Sequence, residues 1–328
     1  MRAVRATTPG GADVLRVDEL PDPTPGEGQV QVRLAAAGLN FIDVYRREGR
    51  YPMDFPHVVG AEGAGEVTAV GPGVADVAVG DRVAWTDGNA GSYAELVVVE
   101  ADRTVPVPRD VALEVAAALM LQGITAHYLT TDTAPVHPGQ HVLVHAGAGG
   151  VGLLLTQLAV AQGARVLSTV STDEKAALSR GAGAAEVLRY DRCLDLTTEL
   201  PAWVREHTDE VGVDTVFDGV GRATFDASLA SLRVRGALVL FGGASGAVPP
   251  FDPMRLSQGG SLFLTRPSMA HHIRDRAELT ARTDDLFTRV AHRSLDVRIG
   301  ARFPLDRAAD AHRALEGRTT TGKVLLVP

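Results

Sequence analysis

Residues 141–162, His-Val-Leu-Val-His-Ala-Gly-Ala-Gly-Gly-Val-Gly-Leu-Leu-Leu-Thr-Gln-Leu-Ala-Val-Ala-Gln, decide the fold. They read as a strand, a glycine turn and a helix. Gly147, Gly149 and Gly152 stand in register with G-x-G-x-x-G, the pattern of a dinucleotide-binding βα turn. In that pattern the first glycine allows the tight turn and the second lets a pyrophosphate approach the backbone. The third lets helix and strand pack closely. Free N–H groups, including those of Gly150 and Val151, and the positive end of the helix dipole then face the phosphates. In a chain with 35 glycines the pattern alone is weak. Here it follows the apolar run Val142-Leu143-Val144 and opens an amphipathic helix, the context the motif requires.

From residue 139 onward, strand-like and helix-like segments alternate. Candidate strands fall at 141–146, 165–170, 186–190, 214–220, 237–242 and 261–267. Candidate helices fall at 150–162, 173–180, 196–207, 222–234 and 253–258. Six strands joined by helical crossovers predict an α/β fold with a Rossmann-type, doubly wound parallel sheet over residues 123–267. Residues 1–122 differ: short β-patterned runs are punctuated by turns such as Gly71-Pro72-Gly73 and Asp87-Gly88-Asn89. The tail from 268 carries an amphipathic helix near 275–292 and ends in Lys323-Val324-Leu325-Leu326-Val327. It is expected to fold back onto the N-terminal segment. The result would be a discontinuous substrate domain, 1–122 with 268–328, and a cofactor domain separated from it by a cleft.

With 328 residues, 45% of them hydrophobic and 22% charged, the chain reads as an ordinary soluble globular protein. A net charge of −8 argues against a nucleic-acid or anionic-membrane partner. No apolar run approaches the roughly 18 residues of a membrane span. The opening Met-Arg-Ala-Val-Arg-Ala-Thr lacks the apolar core of a signal peptide, so a cytoplasmic location is expected. Cys193 is the single cysteine, which excludes an intrachain disulfide and a thiolate-rich metal cluster. Only Lys175 and Lys323 are lysines among 32 lysines and arginines.

Several further segments are specific together. They are Ala37-Gly38-Leu39-Asn40-Phe41-Ile42-Asp43, Gly60-Ala61-Glu62-Gly63-Ala64-Gly65 and Leu121-Gln122-Gly123-Ile124-Thr125-Ala126-His127-Tyr128. Phe217-Asp218-Gly219-Val220-Gly221, Phe241-Gly242-Gly243-Ala244-Ser245-Gly246 and Leu264-Thr265-Arg266-Pro267-Ser268 join them. With the glycine turn, they make the chain resemble the medium-chain dehydrogenases/reductases nearly end to end. Within that group it resembles the quinone oxidoreductase (zeta-crystallin-like) branch. The resemblance implies a β-rich, GroES-like catalytic domain beside the Rossmann domain. It also implies a homodimer joined through the edge strand running from Ser261 to Thr265. In the alcohol-dehydrogenase branch a catalytic zinc is held by a cysteine in the segment matching Gly38 to Asp43 and by a histidine in Gly-His-Glu. Here the segments read Gly38-Leu39-Asn40 and Gly60-Ala61-Glu62, so both ligands are missing. No metal is therefore expected. Without a Lewis acid, reduction of a quinone or conjugated carbonyl is favoured over alcohol oxidation.

The expected cofactor is NADPH. An NAD-specific fold carries an acid at the tip of the second strand, and here that strand ends Thr169-Val170-Ser171-Thr172. Asp173 and Glu174 read either as that acid displaced or as part of a capping box, Ser171-Thr172-Asp173-Glu174, opening the next helix. By resemblance, Lys175 and Tyr190 bind the 2′-phosphate near Ser171, and Gly219, Phe241, Gly242 and Gly243 approach the nicotinamide ribose. Arg318 and Lys323 lie near the cofactor or are surface charges. Asn40, Tyr45, Tyr51 and Thr125 line the nicotinamide and acceptor pocket, with a helix cap as the alternative for Asn40 and a lid or packing role for the tyrosines. Two rival functions stand beside quinone reduction: a 2-alkenal or enoyl-thioester reductase, and a non-catalytic NADPH-binding protein of crystallin or RNA-binding type.

Overall fold

The computed structural model describes residues 1–86 and 91–328, so the expected turn Asp87-Gly88-Asn89 lies outside the described residues. The chain divides into two compact units, Met1–Ile124 with Ile273–Pro328, and Thr125–His272.

In the second unit six strands form one sheet in the order Glu186–Arg189, Arg165–Val170, His141–Val144, Val213–Asp218, Leu232–Leu240, Phe263–Thr265. Every neighbouring pair is parallel. Val142, Leu143, Val144, Val166, Leu167 and Val216 are all fully buried, which is why the central strands are continuous apolar runs rather than alternating ones. Leu143, Leu167 and Val216 pack with Leu200, Val204 and Phe225 in one core cluster. The first strand lies between the second and the fourth, so the winding reverses there. Ligands of such sheets bind outside the carboxyl ends at that reversal.

Several boundaries differ from the sequence reading. The helix expected at 222–234 is only Phe225–Ala230, and the following strand starts at Leu232 rather than Ala237. Leu232 pairs with Val213 and is buried; the arginines Arg233 and Arg235 beside it concealed the strand. The last strand shortens to Phe263–Thr265.

The first unit is built on a seven-stranded sheet around the long strand Gln29–Leu39. Glu62–Val70 pairs antiparallel along one side of it, with Ala37 opposite Gly63. On its other side, the C-terminal strand Lys323–Val327 pairs antiparallel with Leu39, Gly38 and Ala37. Val32, Leu34, Leu39, Val67, Trp85 and Leu326 share one buried core.

Candidate active site

The glycine turn joins the strand His141–Val144 to the twelve-residue helix Gly150–Ala161. Its left-handed residue is Ala146, at φ 54°, and not one of the motif glycines. That corrects the sequence reading of the first glycine. Gly147 is required by crowding: a Cβ there would overlap Ser168 Oγ and come within 2.7 Å of Ser179 Oγ. Gly152 is equally constrained, since its Cβ would press on Ala146 O and on Gly147 Cα at 2.9 Å. Gly149 is looser, and its extended backbone caps the helix and leaves the first N–H groups of Gly150 and Val151 without helical partners.

Beside this turn, the fully buried carboxylate of Asp218 organises the loop after the neighbouring strand. It accepts from the N–H groups of Val220 (2.8 Å) and Gly221 (2.9 Å) and from Thr224 Oγ1 (2.7 Å) and Ser228 Oγ (2.8 Å). Ser228 also meets His145 Nε2 at 3.0 Å, and His145 Nδ1 meets Thr169 Oγ1 at 2.8 Å. Burial lowers the His145 pKa, and with both ring nitrogens hydrogen-bonded the buried ring connects Thr169 to Ser228. Gly219 packs under the Phe241 ring, where a Cβ would meet it at 2.8 Å. Gly242 leaves only 2.9 Å from its missing Cβ to Gly219 Cα, and Gly243 Cα lies 3.0 Å from the Cβ position of Gly221. Thus Gly219, Phe241, Gly242 and Gly243 gather at the carboxyl ends of two adjacent strands.

The second strand's tip carries no acid facing forward. Parallel register sets Val170 beside Arg189, so Ser171 and Tyr190 leave neighbouring strand ends together. Thr172, not Ser171, caps the helix Asp173–Gly181, accepting from the Lys175 N–H at 3.2 Å. The expected Ser171 to Glu174 box is therefore not formed: the cap moves to Thr172, and the third helical position is then Lys175, which has no acceptor to return the bond. Lys175 Nζ lies 3.3 Å from Ser171 Oγ. Asp173 is held by Arg189 at 2.6 Å and Arg192 at 3.0 Å, so its carboxylate is already engaged by cations. Lys175 beside Ser171, at a strand end next to that of Tyr190, fits a phosphate better than a bare ribose hydroxyl. Thr125 lies almost buried in the helix Gln122–Tyr128.

In the first unit the structure gathers a polar cluster that the sequence did not disclose. Lys323 is buried rather than a surface charge, and its ammonium is ion-paired with Glu62 and donates to Asn40 Oδ1 at 2.8 Å. Gln122 Nε2 donates to the same oxygen at 3.1 Å. Asn40 Nδ2 donates to Glu62 Oε1 at 2.6 Å, and Glu62 Oε2 accepts from the Leu121 N–H at 2.5 Å. Glu62 and Gln122 sit in segments that carried the resemblance, but only the tertiary fold reveals that both reach the Asn40 amide. Asn40 also precedes the helix Phe41–Arg47, its N–H donating to Asp43 Oδ2 at 2.9 Å. Asp43 is fully enclosed, and burial pushes its pKa up to about 6. Tyr45 and Tyr51 meet edge to face, ring centroids 5.9 Å apart, and Tyr51 is substantially exposed. Arg318 is exposed, with a left-handed backbone at φ 57°.

A family model described as an alcohol dehydrogenase GroES-like domain matches residues 26–109, and one described as a zinc-binding dehydrogenase matches 150–281. A quinone oxidoreductase of Pseudomonas aeruginosa is 42% identical over 320 residues, covering 97% of this chain and 97% of that protein. The chain belongs to the quinone oxidoreductase family. Its α/β sheet and its β-rich unit are the family's Rossmann and GroES-like domains. A 2-haloacrylate reductase of Burkholderia is 40% identical, with 97% of this chain and 96% of that protein covered. In three dimensions the chain matches a mycobacterial protein solved with NADPH at a TM-score of 0.96 and 50% identity, each chain covered completely.

Proposed function

We propose that this chain is an NADPH-dependent quinone reductase that works without a metal ion. The observation that carries the reading is its full-length likeness to a quinone oxidoreductase, joined to a close structural match solved with NADPH. When bound, NADPH supplies the hydride. The chain's own task is to hold the reactants, exclude water and steady the developing oxyanion.

The turn formed by Gly147, Gly149, Gly150, Val151 and Gly152 offers its N–H groups to the pyrophosphate. Ser171, Lys175 and Tyr190 recognise the 2′-phosphate, and Gly219, Phe241, Gly242 and Gly243 carry the nicotinamide ribose. Thr125 serves the nicotinamide end on that unit. On the other unit, Asn40, Tyr45 and Tyr51 serve the acceptor, Arg318 serves the cofactor, and Lys323 supports the Asn40 amide from within. Metal independence rests on residue chemistry. Cys193 is far in sequence from the segments matching the zinc-ligand positions, and the Lys323 ammonium against Glu62 opposes a second cation there.

The protein is expected to be cytoplasmic, without nucleic-acid or membrane partners, in keeping with a net charge of −8. Among the described residues no helix is long and apolar enough to cross a membrane. Phe263–Thr265 is the last strand of its sheet, and Phe263 and Val234 beside it are 63% and 66% exposed. We place a homodimer contact on this edge; light scattering should give twice the chain mass.

The deciding assay is oxidation of NADPH and NADH with a small para-quinone in the presence of a chelator. Chelator-insensitive turnover with NADPH favoured is expected. Turnover lost to the chelator, or favoured by NADH, would overturn the reading. The Burkholderia relative supports a second acceptor class, conjugated acids or alkenals, so turnover of these but not of quinones would select the alternative.

A further inference from the structure

Gly38 is the point at which the Asn40 cluster becomes possible. Glu62 and Lys323 begin the two strands flanking the end of Gln29–Leu39, one on either side. A Cβ on Gly38 would overlap Glu62 Oε1 and come within 2.6 Å of Lys323 Cε. The missing side chain is the gap through which the ammonium and the carboxylate meet. The pair is enclosed: Lys323 is 1% exposed and Glu62 is 0% exposed.

An enclosed ion pair gives little net stability, because desolvating both charges offsets their attraction. Its better-attested use is to specify one arrangement, and here the arrangement specified is that of an amide. Asn40 Oδ1 has two lone pairs and accepts from Lys323 Nζ and Gln122 Nε2. Its Nδ2 has two protons, directed at Glu62 Oε1 and, at 3.4 Å, toward Gly38 O. Turning the amide over would set its NH2 against the ammonium and its oxygen against the carboxylate. Charge therefore fixes the orientation. Asn40 is also the residue from which the helix Phe41–Arg47, bearing Tyr45, departs.

We propose that Lys323 and Glu62 are positioning residues for acceptor reduction, acting through Asn40 and the start of the helix that carries Tyr45. This rests on the reading above that Asn40 and Tyr45 face the acceptor. The ammonium is not a reactant; it holds the amide and the helix start in one geometry while hydride is transferred.

The test is the double variant Lys323→Met/Glu62→Gln, which removes both charges and leaves no unpaired buried ion. Proton exchange of the Asn40 side-chain amide, followed by NMR, should quicken at least tenfold. With a para-quinone, kcat should fall about 10- to 100-fold, the scale of a small misplacement at a reacting centre, while the NADPH Kd stays within about threefold. Unchanged amide exchange overturns the proposal, as does a kcat within threefold of the parent. So does a loss of NADPH affinity in step with kcat, which marks general structural damage. If the double variant does not fold, the single variant Glu62→Gln keeps the side-chain shape and removes the carboxylate that faces the Asn40 amide. The same fall in kcat with an unchanged NADPH Kd is then expected, and a kcat within threefold of the parent overturns the proposal. A parent protein inactive toward quinones and alkenals with NADPH overturns the functional reading and the positioning role with it. Amide exchange in the variant still decides whether the pair anchors Asn40, which keeps the two failures apart.

Discussion

Gly147 and Ser168 stand so close that a methyl group on the glycine would occupy the place of the serine hydroxyl. Ser168 is fully buried and accepts from Ser179 Oγ at 2.9 Å, so it has little freedom to withdraw. The glycine is therefore demanded by a contact with the next strand and the helix after it, not by its own backbone angles. Gly147→Ala should destabilise the fold by about 1–3 kcal/mol through overpacking. Adding Ser168→Ala should recover part of that loss in thermal or denaturant unfolding. A double variant no more stable than the single would show that the Ser168 hydroxyl is not the obstacle.

Lys175 offers a cation beside Ser171 where an NAD-specific strand tip would offer an acid. A charge-assisted contact with phosphate contributes on the order of 1.5–3 kcal/mol. Lys175→Ala should accordingly weaken NADPH binding about 10- to 100-fold and leave NADH nearly unchanged. Fluorescence titration with both cofactors is sufficient, and equal losses would remove Lys175 from 2′-phosphate recognition.

Asp173, two residues before Lys175, holds Arg192 and shares Arg189 with Asp191. Pairing with Arg189 holds the Asp173 carboxyl below the usual carboxylate range, so it remains charged at any working pH. Asp173→Asn should free Arg192 for an incoming phosphate, while Arg189 stays on Asp191, its other partner at 2.6 Å. NADPH affinity should rise severalfold, more at low salt than at high salt, with NADH affinity steady. A variant that binds NADPH more weakly would mean that Asp173 organises the arginines rather than restraining them.

Two buried groups should give stability opposite dependences on pH. His312 accepts from Arg47 Nη1 at 2.9 Å, and burial followed by the Arg47 charge lowers its pKa from 6.5 to about 3. Its contribution is present above pH 6.5 and is lost as pH falls from there toward 3. Asp43 moves the other way, from 3.8 to about 6, chiefly through burial. Its contribution is complete below pH 3.8 and is lost as pH rises through 6, a change of about 3 kcal/mol. His312→Gln should thus lose less Tm than the parent between pH 7 and 4.5. Asp43→Asn should compare better with the parent at pH 7.5 than at pH 4, because the Tyr93 hydroxyl at 3.1 Å and the Asn40 N–H retain an oxygen acceptor. Parallel Tm profiles for variant and parent would dismiss the group concerned.

Local order alone made part of this protein legible. Apolar runs alternating with helical segments gave the parallel sheet, the glycine spacing gave the βα turn, and the absent acid after Val170 pointed to the phosphate-bearing cofactor. These follow from periodicity and from short-range turn chemistry, so they are legible without a partner segment. Tertiary structure decided the rest. Lys323 and Asn40 are 283 residues apart, and only antiparallel pairing of the C-terminal strand beside Gly38 makes the lysine a buried neighbour of Asn40. Likewise Asp173 and Glu174 looked equivalent until parallel register brought Arg189, with Arg192 just beyond it, onto Asp173. Even the strained residue of the turn was displaced to Ala146, because neighbouring strands and helices, not the motif, set which residue must bend and which must be small.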